Sequence, residues 1–276
     1  MSFFTAIIYG FISGITEILP VSSQGHQALM RYLFGAETRI PLLEILVHTG
    51  ALLALLFSCS EVLKQLRREQ RTLSSRYRKK KRQKDNKNLY ELRLMKSSAI
   101  VLFLALFTYY STKKFENSLT FVMIFWLVNA FILFIADHMP RGNRDARTMS
   151  ALDGVVMGLL GAVSVLPGIS RTGMITSYAV ARGADNDTSA NWALLLGIPA
   201  LIFYILFDLV ALISVGSGVQ TMAAAAVCFL SGGAAFAGCY FGISLLKLII
   251  NQSGLSKFAF YSIGVTMFSF AIYLIT

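Results

Sequence analysis

Six apolar runs set the limits on what this chain can fold into. They lie at approximately 41–60, 94–112, 118–137, 188–213, 219–250 and 257–276. Each is long enough to cross a hydrocarbon core of ~30 Å, which takes ~20 helical residues. Each is also apolar all round, as a helix embedded in lipid must be. Hydrophobic residues make up 55% of the chain and charged residues 14%, against ~25% charged in a globular protein. That leaves too little polar surface for a soluble fold, and it excludes a disordered chain, a coiled coil and an ordinary cytosolic enzyme. The expected class is an all-α polytopic membrane protein. Pro199 is expected to kink the fourth run. Gly238 and Gly242 form a small-xxx-small pair in the fifth, which suits close helix packing.

Two further apolar stretches, 3–34 and 151–183, are broken near the middle, at Leu19-Pro20 and at Leu166-Pro167-Gly168. Each half is too short to cross alone, so each stretch reads as a re-entrant helix–turn–helix; one kinked span is the alternative. At an offset of 147, Gly14, Leu19, Pro20 and Ser23 coincide with Gly161, Leu166, Pro167 and Ser170. Each break is followed by three runs, giving two repeats in a single membrane domain, 1–137 and 151–276. Three is odd, so the second copy starts from the opposite side. This inverted-topology repeat places a ligand site near the midplane, where the broken helices meet.

The net charge is +11. Between Lys64 and Lys96 stand fourteen Lys or Arg against three acidic residues, so the whole surplus sits in that one segment. A basic loop at 64–93 between two apolar runs is a topology signal and suits contact with anionic lipid headgroups, and no nucleic-acid partner is expected. This loop is assigned to the cytoplasm, together with 138–150 (Arg141, Arg144, Arg147) and 251–256; the uncharged 214–218 falls outside. Lys113 and Lys114 oppose the pattern and Glu116 partly offsets them. The N-terminus has no basic region, so no cleavable signal peptide is expected. Cys59, Cys228 and Cys239 read as small core hydrophobes.

After each proline, a short helix opens with small hydroxyl residues, Ser22-Ser23-Gln24-Gly25-His26 in one hairpin and Ser170-Arg171-Thr172-Gly173 in the other. A helix N-terminus presents free N–H groups and the positive end of its dipole, so two of them flanking Arg171 make an anion trap. The planar guanidinium fork suits phosphate oxygens. Ser22 or Ser23 can equally be a plain N-cap, Glu17 a structural partner of Arg171, and His26 idle. Ionisable groups inside a membrane default, however, to a functional reading. Glu44 and His48, at i and i+4, either support the site or pair near the outer interface. Asp208 is expected to be solvated near the outer surface; His138, Asp185 and Asp187 belong to helix ends and loops.

The segments Gly14 to His26 and Leu166 to Gly173 resemble the two signature motifs of the undecaprenyl-diphosphatase family, the bacitracin-resistance proteins. The resemblance covers the whole chain. It implies an integral enzyme of the bacterial cytoplasmic membrane, with its site open to the outer face. Such an enzyme removes the terminal phosphate of undecaprenyl diphosphate and so recycles the lipid carrier of cell-wall synthesis. Carried over by motif, Glu17, Ser23, His26, Ser170 and Arg171 form the functional set. Two positions depart from the family pattern: Ser13 stands where an acid or amide is usual, and Ile175 where Thr is usual, with Thr176 one place on.

In the resulting scheme Arg171 and the two helix N-termini hold the diphosphate, with Ser22, Ser170, Thr172, Gly168 and Gly173 lining its place. Ser23 is the candidate nucleophile and His26 the general base and acid; the variant with His26 as nucleophile stays open. Glu17 orients His26 or helps hold Mg²⁺ or Ca²⁺. Ser13, Glu44, His48 and Thr176 stand behind these residues. The rival reading is a transporter of a polyprenyl phosphate that uses the same anion site.

Overall fold

In the computed structural model, residues 2–35, 40–78, 89–140, 142–144, 148–215 and 221–275 are described. The chain is all-α there. The first stretch folds as α1 (Phe3–Ile18) and α2 (Ser23–Leu33), followed by α3 (Pro41–Ser58), α4 (Ser60–Arg78), α5 (Leu89–Ala105), the short α6 (Tyr109–Thr112) and α7 (Leu119–Asp137). The second stretch folds as α8 (Ala151–Ala162) and α9 (Arg171–Ala181), followed by α10 (Asn186–Val215), α11 (Met222–Ser253) and α12 (Ser256–Ile275). Both broken stretches are thus helix–turn–helix units.

Among the described residues, five helices are long and apolar enough to span a membrane: α3, α7, α10, α11 and α12. The chain is therefore a multi-pass membrane protein. The run at 94–112 differs from the expected single helix. After α5 the chain tightens into a 3₁₀ turn at Leu106–Thr108 before α6. Thr108 Oγ1 donates to the Ala105 carbonyl at 2.7 Å, and Thr112 Oγ1 donates to the Tyr109 carbonyl at 3.1 Å. Such back-bonding competes with the helical ladder and bends it.

The basic segment also differs from a plain loop, because its first part is α4. Val62, Leu63 and Leu66 recur at helical spacing and pack against the main core, while Lys64 bonds Glu61 one turn back at 2.7 Å. Residues 79–88, Arg141, Arg147 and 216–220 lie outside the described residues, so the loop charges there keep their sequence reading.

Helix pairing follows a two-fold pattern. The first half-helix of each hairpin packs on a long helix of the other half, α1 on α11 and α8 on α5. Equivalent helices pair with each other, α3 with α10 and α7 with α12. The α1–α11 seam is made of small residues: a Cβ on Gly10 or Gly14 would strike the backbone of Ser231 or Ala235, and one on Gly238 the backbone of Phe11. Between helices in lipid, close van der Waals packing of this kind supplies the attraction. Pro199 lies inside α10. The three cysteines are free and buried.

Candidate active site

Both breaks have the same local cause. A proline offers no N–H and pushes the preceding residue out of the helical region. Leu19 accordingly sits at φ −74°, ψ 153° and Leu166 at φ −80°, ψ 117°, both extended. The chain then starts a new helix at a serine cap. Ser22 Oγ accepts from the Gly25 N–H at 3.3 Å, and Ser170 Oγ from the Gly173 N–H at 3.1 Å.

These caps correct the single offset of 147. It holds up to the prolines, but the second turn is one residue longer. Ser22 therefore corresponds to Ser170, Gly25 to Gly173, and Ser23 to Arg171.

The two caps are bonded across the interface. Ser22 Oγ also accepts from the Gly168 N–H at 3.0 Å, and Ser170 Oγ donates to the Leu19 carbonyl at 3.2 Å. Gly168 has φ +116°, and a Cβ there would lie 2.6 Å from the Val122 carbonyl, so only glycine fits. Ser22 is the one non-glycine at positive φ among the described residues, at 66°, a conformation costing about 1–3 kcal/mol. Its hydrogen bonds to both hairpins offset that cost.

A small cavity of about 20 Å³, room for one water, lies where the breaks meet. Its walls are Thr16, Glu17, Ser22, Ser23 and Gln24 of the first hairpin, Ser164, Ile169, Ser170 and Arg171 of the second, and Tyr204 of α10. Arg171 crosses it: Nη1 bonds Glu17 Oε1 at 2.8 Å, and Nη2 bonds the Glu17 carbonyl at 3.3 Å. Both side chains are over nine-tenths buried. Arg171 Nε has no partner among the described residues. Gly197 in α10 leaves the guanidinium its space, since a Cβ there would come 3.0 Å from Nη2.

The other expected residues lie apart from the cavity walls. His26 does not meet Ser23: its Nδ1 is 2.7 Å from the Ser22 carbonyl and its Nε2 2.9 Å from the Tyr261 hydroxyl. Ser23 Oγ instead donates to the Ser13 carbonyl at 3.3 Å. Glu17 is held by Arg171 rather than placed against His26. Thr172 is buried, and its hydroxyl has no partner among the described residues. Thr176 turns its hydroxyl back onto the Thr172 and Gly173 carbonyls, at 2.7 and 3.1 Å, while Ile175 fills the core.

Glu44 and His48 hold different partners. Glu44 accepts from Tyr9 at 2.5 Å and faces Arg31, whose other amino group is 3.4 Å from Glu116. His48 bonds Asp208 at 3.0 Å and stacks on Tyr204. Asp208 is therefore buried, contrary to the expected solvated position, because α3 brings it a histidine at the α3–α10 contact. Asp185 caps α10 through the Thr188 N–H at 2.6 Å, Asp187 lies 3.3 Å from Asn251, and His138 bonds back to the Phe134 carbonyl at 2.8 Å.

Sequence reasoning missed the clamp on α7. Asn129 Oδ1 accepts from the Ser170 N–H and its Nδ2 donates to the Pro20 carbonyl, both at 3.0 Å. Trp126 Nε1 donates to the Val21 carbonyl at 2.9 Å. One helix thus holds both breaks. The available signal was a lone amide in an otherwise apolar run, since such groups seek partners inside the bundle.

Comparison with known proteins fits this geometry. Residues 6–268 match the family described as bacitracin resistance protein BacA. An undecaprenyl-diphosphatase of Alkaliphilus metalliredigens is 30% identical over 95% of each chain. One of Treponema denticola is 29% identical over 95% of this chain and 94% of its own, and one of Carboxydothermus hydrogenoformans is 27% identical over 97% of each. With two serine-capped helices meeting at a buried arginine, and a match along nearly its whole length, the chain belongs to the BacA bacitracin-resistance family.

Proposed function

We propose that this protein hydrolyses undecaprenyl diphosphate to undecaprenyl phosphate and inorganic phosphate at the cavity between the two breaks. The observation that carries this reading is Arg171, buried between two helix N-termini in a cavity walled by Ser22, Ser23 and Ser170. Helix dipoles, hydroxyls and a guanidinium fork all favour phosphate oxygens. The same groups stabilise charge on a phosphoryl group in transfer, where catalysis is mostly positioning and electrostatics.

The cavity is smaller than a diphosphate, so substrate binding separates Arg171 from Glu17. Arg171 turns to the phosphate oxygens, and Glu17 loses its cation beside Ser23. Ser23 Oγ then attacks the terminal phosphorus and gives its proton to the Glu17 carboxylate. The bond from that phosphorus to the bridging oxygen breaks, and undecaprenyl phosphate leaves with the electron pair. Glu17 passes that proton on to the departing phosphate and then takes one from the water that attacks the phosphoserine; the bond from phosphorus to Ser23 Oγ breaks, the proton goes to Ser23 Oγ, and inorganic phosphate is released. In this scheme His26 steadies the Ser22 carbonyl and does not touch the phosphorus.

A divalent ion, Mg²⁺ or Ca²⁺, has a thin donor set here. Among the described residues, Glu17 is the only carboxylate on the cavity wall, and it is already neutralised by Arg171. No group of three or more His, Cys, Asp or Glu is assembled among the described residues. These ions prefer six or more oxygens, so the protein alone does not fit them, and the substrate's diphosphate would have to supply the rest.

In the same reading the chain makes six spans, with α5 and α6 completing the sixth, and two re-entrant hairpins. Residues 1–137 and 151–276 are inverted repeats. The basic end that begins with α4 faces the cytoplasm, and the cavity opens to the outer side of the bacterial cytoplasmic membrane. The prenyl tail lies along apolar, lipid-facing helix surface, where fit need not be specific.

The test is phosphate release from undecaprenyl diphosphate by protein reconstituted in vesicles. Release by the native chain, lost in Ser23→Ala and Arg171→Ala, supports the reading. Movement of a polyprenyl phosphate across the vesicle wall without phosphate release would support a transporter instead.

A further inference from the structure

His26 is fixed by three neighbours, and two of them come from helices outside both motif segments. Its Nδ1 lies 2.7 Å from the Ser22 carbonyl. A carbonyl only accepts, so Nδ1 carries the proton. The ring packs edge-on against Trp126, at 5.2 Å between centroids, and stacks with Tyr261 at 5.7 Å. Each of these contacts is uncharged, and a buried imidazole among them is neutral. Nε2 is then a bare lone pair, and the Tyr261 hydroxyl donates to it at 2.9 Å.

We infer that Tyr261 on α12 is a positioning residue for the reaction: by donating to Nε2 it joins the Ser22 carbonyl in holding His26 in one tautomer and one ring orientation at the first break. In the opposite tautomer the Nδ1 lone pair would face the Ser22 carbonyl oxygen, and two acceptors would meet. Ser22 tolerates little movement. It is at positive φ, and its hydroxyl holds both Gly25 of its own helix and Gly168 of the other hairpin. A change at His26 therefore reaches Ser22 and Ser23 on the cavity wall and, through Gly168, the second break.

Tyr261 is 48% exposed on its helix, so packing alone asks only for an apolar ring there. The hydroxyl is the part that needs a reason, and His26 supplies it. A tautomer set by the hydrogen bond at the other ring nitrogen is the usual way a histidine is oriented.

The kinetic part of this inference rests on the hydrolase reading; the tautomer part does not. The experiment compares native protein with Tyr261→Phe, which keeps the ring and removes the hydroxyl. The chain has three histidines, so ¹⁵N-histidine labelling gives three pairs of ring signals, and His26→Asn assigns the pair of interest. The native His26 pair should report the Nδ1–H tautomer alone, and Tyr261→Phe a mixture of both.

In parallel, kcat for phosphate release should fall about 10-fold, the worth of one hydrogen bond, with KM within about twofold. Adding Tyr261→Phe to His26→Asn should cause no further loss. An unchanged tautomer in Tyr261→Phe overturns the inference, and so does a shifted tautomer with unchanged kcat. A shifted tautomer in a protein whose native form releases no phosphate would uphold the His26 link and overturn the hydrolase reading instead.

Discussion

Arg171 Nη1 lies 2.8 Å from Glu17 Oε1, joining the end of the first hairpin's leading helix to the start of the second hairpin's trailing helix. The pair is buried, so each charge depends on the other. Removing one partner of such a pair costs about 3–5 kcal/mol through the charge left behind. Arg171→Ala should therefore abolish phosphate release and lower the thermal midpoint in detergent. The double variant Arg171→Ala with Glu17→Ala should recover much of the midpoint and none of the activity. Arg171→Lys keeps the charge but loses the bidentate fork, so it should be well below native. Near-native release by Arg171→Ala would remove this residue from the site.

Gly197 gives a way to move Arg171 without changing its charge. A methyl group at 197 would meet Nη2 at 3.0 Å and the far end of Leu55 at 2.9 Å. Leu55 can rotate aside at little cost, whereas the guanidinium is fixed by Glu17. Gly197→Ala should thus keep its thermal midpoint within a few degrees while kcat/KM falls about 10-fold, as misplacement of a catalytic group does. Gly233 has nothing within 4 Å of its Cβ position, and Gly233→Ala is the matched control with native kinetics. Equal kinetics for the two variants would contradict the assigned position of Arg171.

Much of this site is readable in the sequence because proline acts locally. Leu19-Pro20 and Leu166-Pro167 dictate the breaks, and the serines just beyond dictate where the helices restart. What the sequence hides is register and direction. Two serines stand side by side after Pro20, and only the bonds to Gly25 and Gly168 show that Ser22, rather than Ser23, is the cap. His26 is three residues beyond Ser23, close enough on a helix to suggest a pair. Its ring turns to the Ser22 carbonyl and to Tyr261, a partner 235 positions away. The burial of Asp208 hides for the same reason, because its histidine comes from α3. The threonine-rich end of 94–112 looks apolar enough to span, but its hydroxyls take the carbonyls that the helix would use.

The clamp on α7 leads to a third prediction. Asn129 satisfies the Ser170 N–H and the Pro20 carbonyl at once, and its Nδ2 is 3.4 Å from Ser262 Oγ. A buried backbone group left without a partner costs about 1–3 kcal/mol. Asn129→Ala orphans two of them, so it should lower the thermal midpoint and also loosen the alignment of the two caps, reducing phosphate release. Asn129→Asp keeps the acceptor for Ser170 but loses the donor to Pro20. It should fall between native and Ala in both measurements. If Ala and Asp prove equally stable, the Pro20 bond is the one that matters.

Position 13 tests whether the thin metal set can be completed. Ser13 and Glu17 are four apart in α1, so they share a face. The Ser13 hydroxyl is buried and has no hydrogen-bond partner among the described residues, while its carbonyl accepts from Ser23. Ser13→Asp adds a carboxylate of similar size beside Glu17. A hard divalent cation would then find two protein oxygens and two negative charges in place of one. Without metal the two carboxylates repel, and Arg171 can neutralise only one. The variant should therefore have a lower thermal midpoint than native protein in chelator, and adding Mg²⁺ or Ca²⁺ should raise it more than it raises the native one. Half-maximal phosphate release should come at a lower metal concentration in the variant. The shift should be modest, because the diphosphate brings its own oxygens to either protein. Coincident titration curves, together with a midpoint that ignores metal, would place position 13 away from any ion and leave Glu17 to its role as the partner of Arg171.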